Sequence, residues 1–125
     1  MVLDASALLA LLNREPGHEE IARVISHAAI SAVNLSEVTA KLAERGMPGE
    51  EIRAALEGLA LETHDFGREF AFQAGLLRPL TRPRGLSLGD RACLALGQQL
   101  NLPVLTTDRA WEGLDLGVEV RLVRS

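Results

Sequence analysis

Helical stretches separate the short β-capable runs of this 125-residue chain, and that alternation constrains its fold more than any other feature. "MVL" is apolar and β-capable, and "ASALLALLN" follows with helix-forming Ala and Leu throughout. "HEEIARVISHA" places Ile21, Val24 and Ile25 at the spacing of a one-sided helix, and "AISAV" then reads as a strand. "NLSEVTAKLAERG" is expected to be a helix with Asn34 as its cap and Gly46 as its stop. "MPGEEIRAALEGLA" forms another, with Pro48 near its start and Ile52, Leu56 and Leu59 on one face. "LETHDF" is a third strand, and "GREFAFQAGLLRPL" is helical until Pro79 and Pro83 break it. "SLGDRACLALGQQL" is apolar on nearly all sides, hence central; "LPVLTTD" and the alternating "GVEVRLV" supply the last strands. Strands alternating with helices imply an α/β sandwich around a mainly parallel sheet. No repeat, linker or low-complexity segment divides residues 1–125, so a single domain is expected.

The first twelve residues, "MVLDASALLALL", are small or apolar except for Asp4. A secretory signal would carry basic residues before its apolar core; here an acid interrupts the run and nothing basic precedes it. No apolar stretch approaches the roughly 20 residues that span a bilayer. A cytoplasmic protein without membrane association is expected. Cys93, the single cysteine, lies in the apolar run "ACLAL" and reads as a core residue rather than a nucleophile. His18, His27 and His64 are scattered and have no zinc-ligand spacing.

Asp4 belongs to a set of four acids in similar places. Asp4 and Asp108 each sit where a strand ends and a helix is expected to begin, and Glu37 and Asp90 in first turns of helices. Singly, each has a local explanation. Asp4 and Asp108 suit N-caps, Asn34-x-x-Glu37 resembles a capping box, and Ser87-x-x-Asp90 is a shorter version of it. Together they ask for more, because the carboxyl ends of parallel strands open onto one edge of the sheet. Two carboxylates ~5 Å apart repel by about 3 kcal/mol at an effective dielectric of 20. A divalent cation relieves that repulsion, and oxygen-only ligands suit Mg²⁺ or Mn²⁺ rather than zinc. Such a metal polarises a phosphoryl oxygen and activates water, which points to phosphodiester hydrolysis.

"VLDASALLALL", "NLSEV", "LSLGDRACLAL" and "LPVLTTDRAW", in this order and spacing, resemble PIN domains of the VapC type, the toxins of type II toxin–antitoxin pairs. The resemblance covers the whole chain. It implies a PIN-like three-layer α/β sandwich and a Mg²⁺-dependent endoribonuclease, with Mn²⁺ also supporting activity. It maps the catalytic acids to Asp4, Glu37, Asp90 and Asp108, with Asp4, Asp90 and Asp108 at the metal and Glu37 acting through water. Ser6 and Thr106 match hydroxyl positions that support the acids by hydrogen bonding. A homodimer and a VapB-type antitoxin partner are also implied.

Other functions remain open at this point. A phosphoryl-accepting receiver domain has similar length and a Mg²⁺ site, but it needs an acid pair after the first strand and a late lysine. This chain has a lone Asp4 there, and its only lysine is Lys41. A binding module with purely structural acids, and a PIN-fold nuclease with a housekeeping role in RNA processing, are further alternatives. The net charge of −4 argues against general attraction to nucleic acid. Residues 1–65 hold eleven acids against five bases, residues 66–125 six against eight. The arginines of "RPLTRPRGLSLGDR" lead into the helix bearing Asp90, so Arg82 and Arg84 are candidates for RNA phosphates, with Arg91 and Arg109 next.

Overall fold

The computed structural model describes residues 1–123. Five strands, β1 (Val2–Leu3), β2 (Ala29–Ser31), β3 (Glu62–His64), β4 (Val104–Thr106) and β5 (Val120–Leu122), form one sheet in the order β3-β2-β1-β4-β5. Every neighbouring pair is parallel. Parallel strands need crossovers long enough to return the chain; helices fill that role except between β4 and β5, where residues 107–119 carry only a 3₁₀ turn at Arg109–Trp111. The inner strands Val2–Leu3, Ala29–Ser31 and Val104–Thr106 are buried at every residue, as strands covered on both faces must be. The edge strands β3 and β5 are partly exposed.

Seven helices flank the sheet among the described residues: α1 (Ala5–Leu12), α2 (His18–Val24), α3 (Ala32–Glu44), α4 (Gly49–Glu57), α5 (Arg68–Leu76), α6 (Arg78–Thr81) and α7 (Leu88–Leu100). Alternation along the strands assigns the layers. Val2, Ala29 and Val104 pack with Ala74, Leu77 and the buried Cys93–Leu96 segment, so α5 and α7 cover one face. Leu3 and Leu105 pack with Ala7, Ala10 and Ile21, while Ile30 packs with Leu8, Val38, Leu42 and Ile52. That puts α1 to α4 on the other face and completes a three-layer sandwich.

The chain runs from β1 outward through β2 to β3, then crosses back to place β4 on the other side of β1. The direction of progression therefore reverses between β1 and β4. In open α/β sheets this reversal leaves a crevice beyond the carboxyl ends of the strands. Asp4 follows β1 directly, and Asp108 follows β4 by two residues.

Local expectations at the end of β2, at the start of α3 and after Asp108 differ from what is observed. The cap of α3 is Ser31, whose hydroxyl accepts from Val33 N at 3.2 Å, so the helix begins before Asn34. Strand β2 ends where that hydroxyl becomes available, which takes the "AV" of "AISAV" into the helix. Glu37 thus lies in the second turn rather than the first. As expected, α5 ends at Leu76 ahead of Pro79, which lies in the first turn of the separate short helix α6, where its missing N–H has no helical acceptor to lose. Asp108 caps a three-residue 3₁₀ turn, Arg109–Trp111, in place of an α-helix.

Candidate active site

A cleft of about 400 Å³ opens at the crevice beside β1 and β4, and Asp4, Glu37, Asp90 and Asp108 all line it. Asp4 is the deepest, at 3% exposure. Its Oδ1 accepts from Ala7 N at 2.8 Å, the N-cap bond of α1, and from Ser6 Oγ at 2.7 Å. Its Oδ2 accepts from Thr106 Oγ1 at 2.5 Å. Each hydroxyl also accepts from backbone: Thr107 N donates to Ser6 Oγ and Asp108 N to Thr106 Oγ1, both at 3.0 Å. Ser6 and Thr106 therefore relay the exit of β4 onto Asp4, with their protons directed at its carboxylate. Burial pushes the Asp4 carboxyl up to about 6; the bonds from Thr106, Ala7 and Ser6 draw it down, and nearby Asp90 pushes it further up.

Asp90 is the third residue of α7 and completes a capping box. Its Oδ2 accepts from Ser87 N at 2.8 Å while Ser87 Oγ accepts from Asp90 N at 3.2 Å. Partial burial raises its pKa above the ordinary aspartate value; the Ser87 bonds oppose this, Asp108 adds to it and Arg91 opposes it. Asp108 is exposed, and its Oδ1 accepts from Ala110 N at 2.9 Å. Capping and clustering are thus compatible. A cap occupies one oxygen of Asp90 and of Asp108, and the other oxygen of each has no protein hydrogen bond among the described residues.

Glu37 is held by residues whose part in the site the sequence reading did not recognise. Asn34, buried at 1% exposure, donates through Nδ2 to Glu37 Oε1 and to Gly89 O, both at 2.9 Å. The Glu37 carboxylate lies directly over Gly89: a Cβ at that position would stand 2.2 Å from Oε2. Asn34 and Gly89 together lock α3 to the start of α7 with Glu37 between them. Lys41 and Glu44 also line the cleft. A signal for these existed, since Asn34, Glu37, Lys41 and Glu44 recur at helical spacing as one polar stripe on α3.

The four arginines expected near the rim are placed in the cleft's surroundings, with Arg91 close enough to Asp90 to draw its pKa down. None of Arg82, Arg84, Arg91 and Arg109 lines the cleft. Arg84 donates through Nη1 to Ala110 O at 3.2 Å and to Glu112 O, bracing the turn after Asp108 from outside. Arg91 is half-buried and donates to Ala74 O at 3.1 Å, so it ties α7 to α5. Arg82 and Arg109 are exposed. Cys93 is fully buried, and burial together with Asp4, Asp90 and Glu37 holds its thiol well above the ordinary value, protonated and unreactive.

Oxygen-only donors of this kind suit a hard divalent cation. Among the described residues no three acidic, histidine or cysteine side chains converge tightly enough to enclose an ion on their own. Mg²⁺ ordinarily keeps several waters and takes only one or two protein carboxylates, so the open cleft and its free oxygens fit that ion. Asp4, pushed upward by burial and by Asp90, and Asp90, pushed upward by burial and by Asp108, are the electrostatic mark of a place that gains from a cation.

The PIN domain family model matches residues 1–115. No curated protein matches the sequence significantly. Among solved structures, VapBC2 from Rickettsia felis bound to a promoter DNA fragment is 17% identical, with 96% of each chain covered and a TM-score of 0.74. DNA-bound VapBC from Salmonella typhimurium is 23% identical over 96% of this chain and 95% of that one, with a TM-score of 0.72. VapBC-5 from Mycobacterium tuberculosis is 20% identical over 99% and 97%, with a TM-score of 0.55. At these identities the likeness is one of fold.

Proposed function

Because the chain belongs to the PIN domain family, we propose that it is a metal-dependent endoribonuclease and the toxin of a VapBC-type toxin–antitoxin pair. The observation that carries the reading is the meeting of Asp4, Glu37, Asp90 and Asp108, from four separate segments, in one cleft at the sheet's reversal point. Asp4, Asp90 and Asp108 would hold Mg²⁺ or Mn²⁺, one or two of them directly and the rest through the ion's waters, and the bound ion would polarise a phosphoryl oxygen and acidify water. Asp4 supplies a carboxylate fixed on both oxygens, so little ordering remains to be done on binding. Asp90 and Asp108 each keep an oxygen free beyond their capping bond. Glu37, oriented at Oε1 by Asn34, is left with Oε2 to take the proton of the attacking water.

The toxin role and the VapB-type antitoxin partner are supported by the family and by the likeness to VapBC assemblies. A homodimer is part of the same reading. Phe72, Leu76 and Leu80, 58%, 77% and 61% exposed at successive turns of α5 and α6, are apolar surface of the kind that association covers.

Asp90→Asn tests the cleft. The amide oxygen still accepts from Ser87 N, so the cap survives while the charge is lost. RNA cleavage in Mg²⁺ should fall by about a hundredfold or more, with the melting temperature unchanged or higher. Full cleavage by this variant would remove Asp90 from the site and the four-acid reading with it.

A further inference from the structure

A polyanion has to enter a cleft lined by Asp4, Glu37, Glu44, Asp90 and Asp108, in a chain of net charge −4. A metal ion held by these acids would cancel part of that charge at the scissile phosphate but would leave the flanking phosphates facing acids. Phosphate contacts supply most of the non-specific affinity for nucleic acid, so some cation must stand inside the cleft. Lys41 is the only basic residue that lines it among the described residues. It is exposed and lies one turn beyond Glu37 on the same face of α3. No ion pair or hydrogen bond engages its ammonium among the described residues, whereas Arg84 and Arg91 spend theirs on backbone carbonyls.

We propose that Lys41 is the residue through which the cleft grips RNA, its ammonium meeting a backbone phosphate beside the scissile bond. The proposal rests on the nuclease reading and adds to it the group that offsets the acids' repulsion of substrate. The ammonium is a compact point charge on a flexible stem, which suits a phosphate whose position varies with sequence. Recognition through it is independent of base identity.

The test is steady-state cleavage of a single-stranded RNA oligonucleotide in Mg²⁺ at 50 to 200 mM salt, for the parent, Lys41→Met and Lys41→Arg. Lys41→Met should raise KM about tenfold, the scale of one charge-assisted contact, and leave kcat within about twofold. The dependence of log(1/KM) on log salt should flatten by about 0.7, one single-strand phosphate contact. Lys41→Arg should restore the slope, because the charge returns. Melting curves read the competing structural role: unchanged KM and slope with a lower melting temperature in Lys41→Met would mean that Lys41 only quiets the acids in the fold, and would overturn the proposal. Unchanged KM and slope with unchanged melting would overturn it equally. A parent protein that cleaves no RNA in Mg²⁺ or Mn²⁺ overturns the nuclease reading itself, and the role of Lys41 falls with it.

Discussion

In the proposed function Asp4 combines two demands that oppose each other: it is buried at the floor of the cleft, and it would have to be ionised to hold a cation. Burial lifts its pKa from 3.8 to about 6 despite three hydrogen bonds from Ser6, Ala7 and Thr106. Between those values the folded chain keeps a proton that the unfolded chain has lost, so stability falls as pH rises through that window. Above about pH 6 the full cost is present, about 3 kcal/mol at 1.4 kcal/mol per pH unit. Asp4→Asn has no proton to lose, and its Oδ1 can still cap α1. Urea unfolding without metal should therefore show the parent losing about 2 kcal/mol relative to Asp4→Asn between pH 4 and pH 7. Parallel pH profiles for the two proteins would mean that Asp4 ionises like a surface aspartate. Metal affinity should show the converse, weakening as pH falls below about 6, because the ion then competes with a proton for the same oxygens.

Helix α7 carries two glycines with opposite duties, and they separate site from scaffold. Gly97 lets the helix lie against the sheet: a Cβ there would stand 2.6 Å from Val104 Cγ1 and 2.9 Å from Val118 Cγ2. Gly89 instead makes room for the end of a flexible side chain, the Glu37 carboxylate. Gly97→Ala should cost about 1–3 kcal/mol of stability, with activity per folded molecule retained. Gly89→Ala should leave stability level or improved, since Ala favours a helix by about 1 kcal/mol, and should cut cleavage by more than tenfold as Glu37 is displaced. Paired urea titrations and cleavage assays check both; equal activity in the two variants would show that the position of Glu37 is not set by Gly89. The sequence made this helix legible as central through its unbroken apolar run, and it made Asp4, Asp90 and Asp108 legible through their places after strands or in a first turn. It misassigned Asn34 because "NLSE" carries a capping signal as good as that of Ser31, and only the extent of β2 decides between them. Gly89 is silent in sequence, since its need arises from Glu37, 52 positions away. Strand order was equally out of reach, because the long return from β3 to β4 reveals nothing of which edge it joins.

At the scale of the molecule, the four acids stand at positions 4, 37, 90 and 108 and meet only when β1, α3, α7 and β4 are assembled. The unfolded chain, with its acids dispersed, offers no comparable site, so a cation held by them binds the native state alone. Linkage then adds about 2.7 kcal/mol at a hundredfold excess over the dissociation constant. For a chain of 125 residues that corresponds to about 10 °C in melting temperature. The increment should appear with Mg²⁺ and with Mn²⁺ at pH 7.5 and shrink at pH 5, where Asp4 keeps its proton. Ca²⁺ should stabilise as well while supporting little cleavage, because its looser coordination positions water poorly. Thermal scans with each ion at both pH values measure this directly. Melting that ignores all three ions would return Asp4, Asp90 and Asp108 to capping alone, since the caps of α1, α7 and the Arg109–Trp111 turn use the same carboxylates and need no metal.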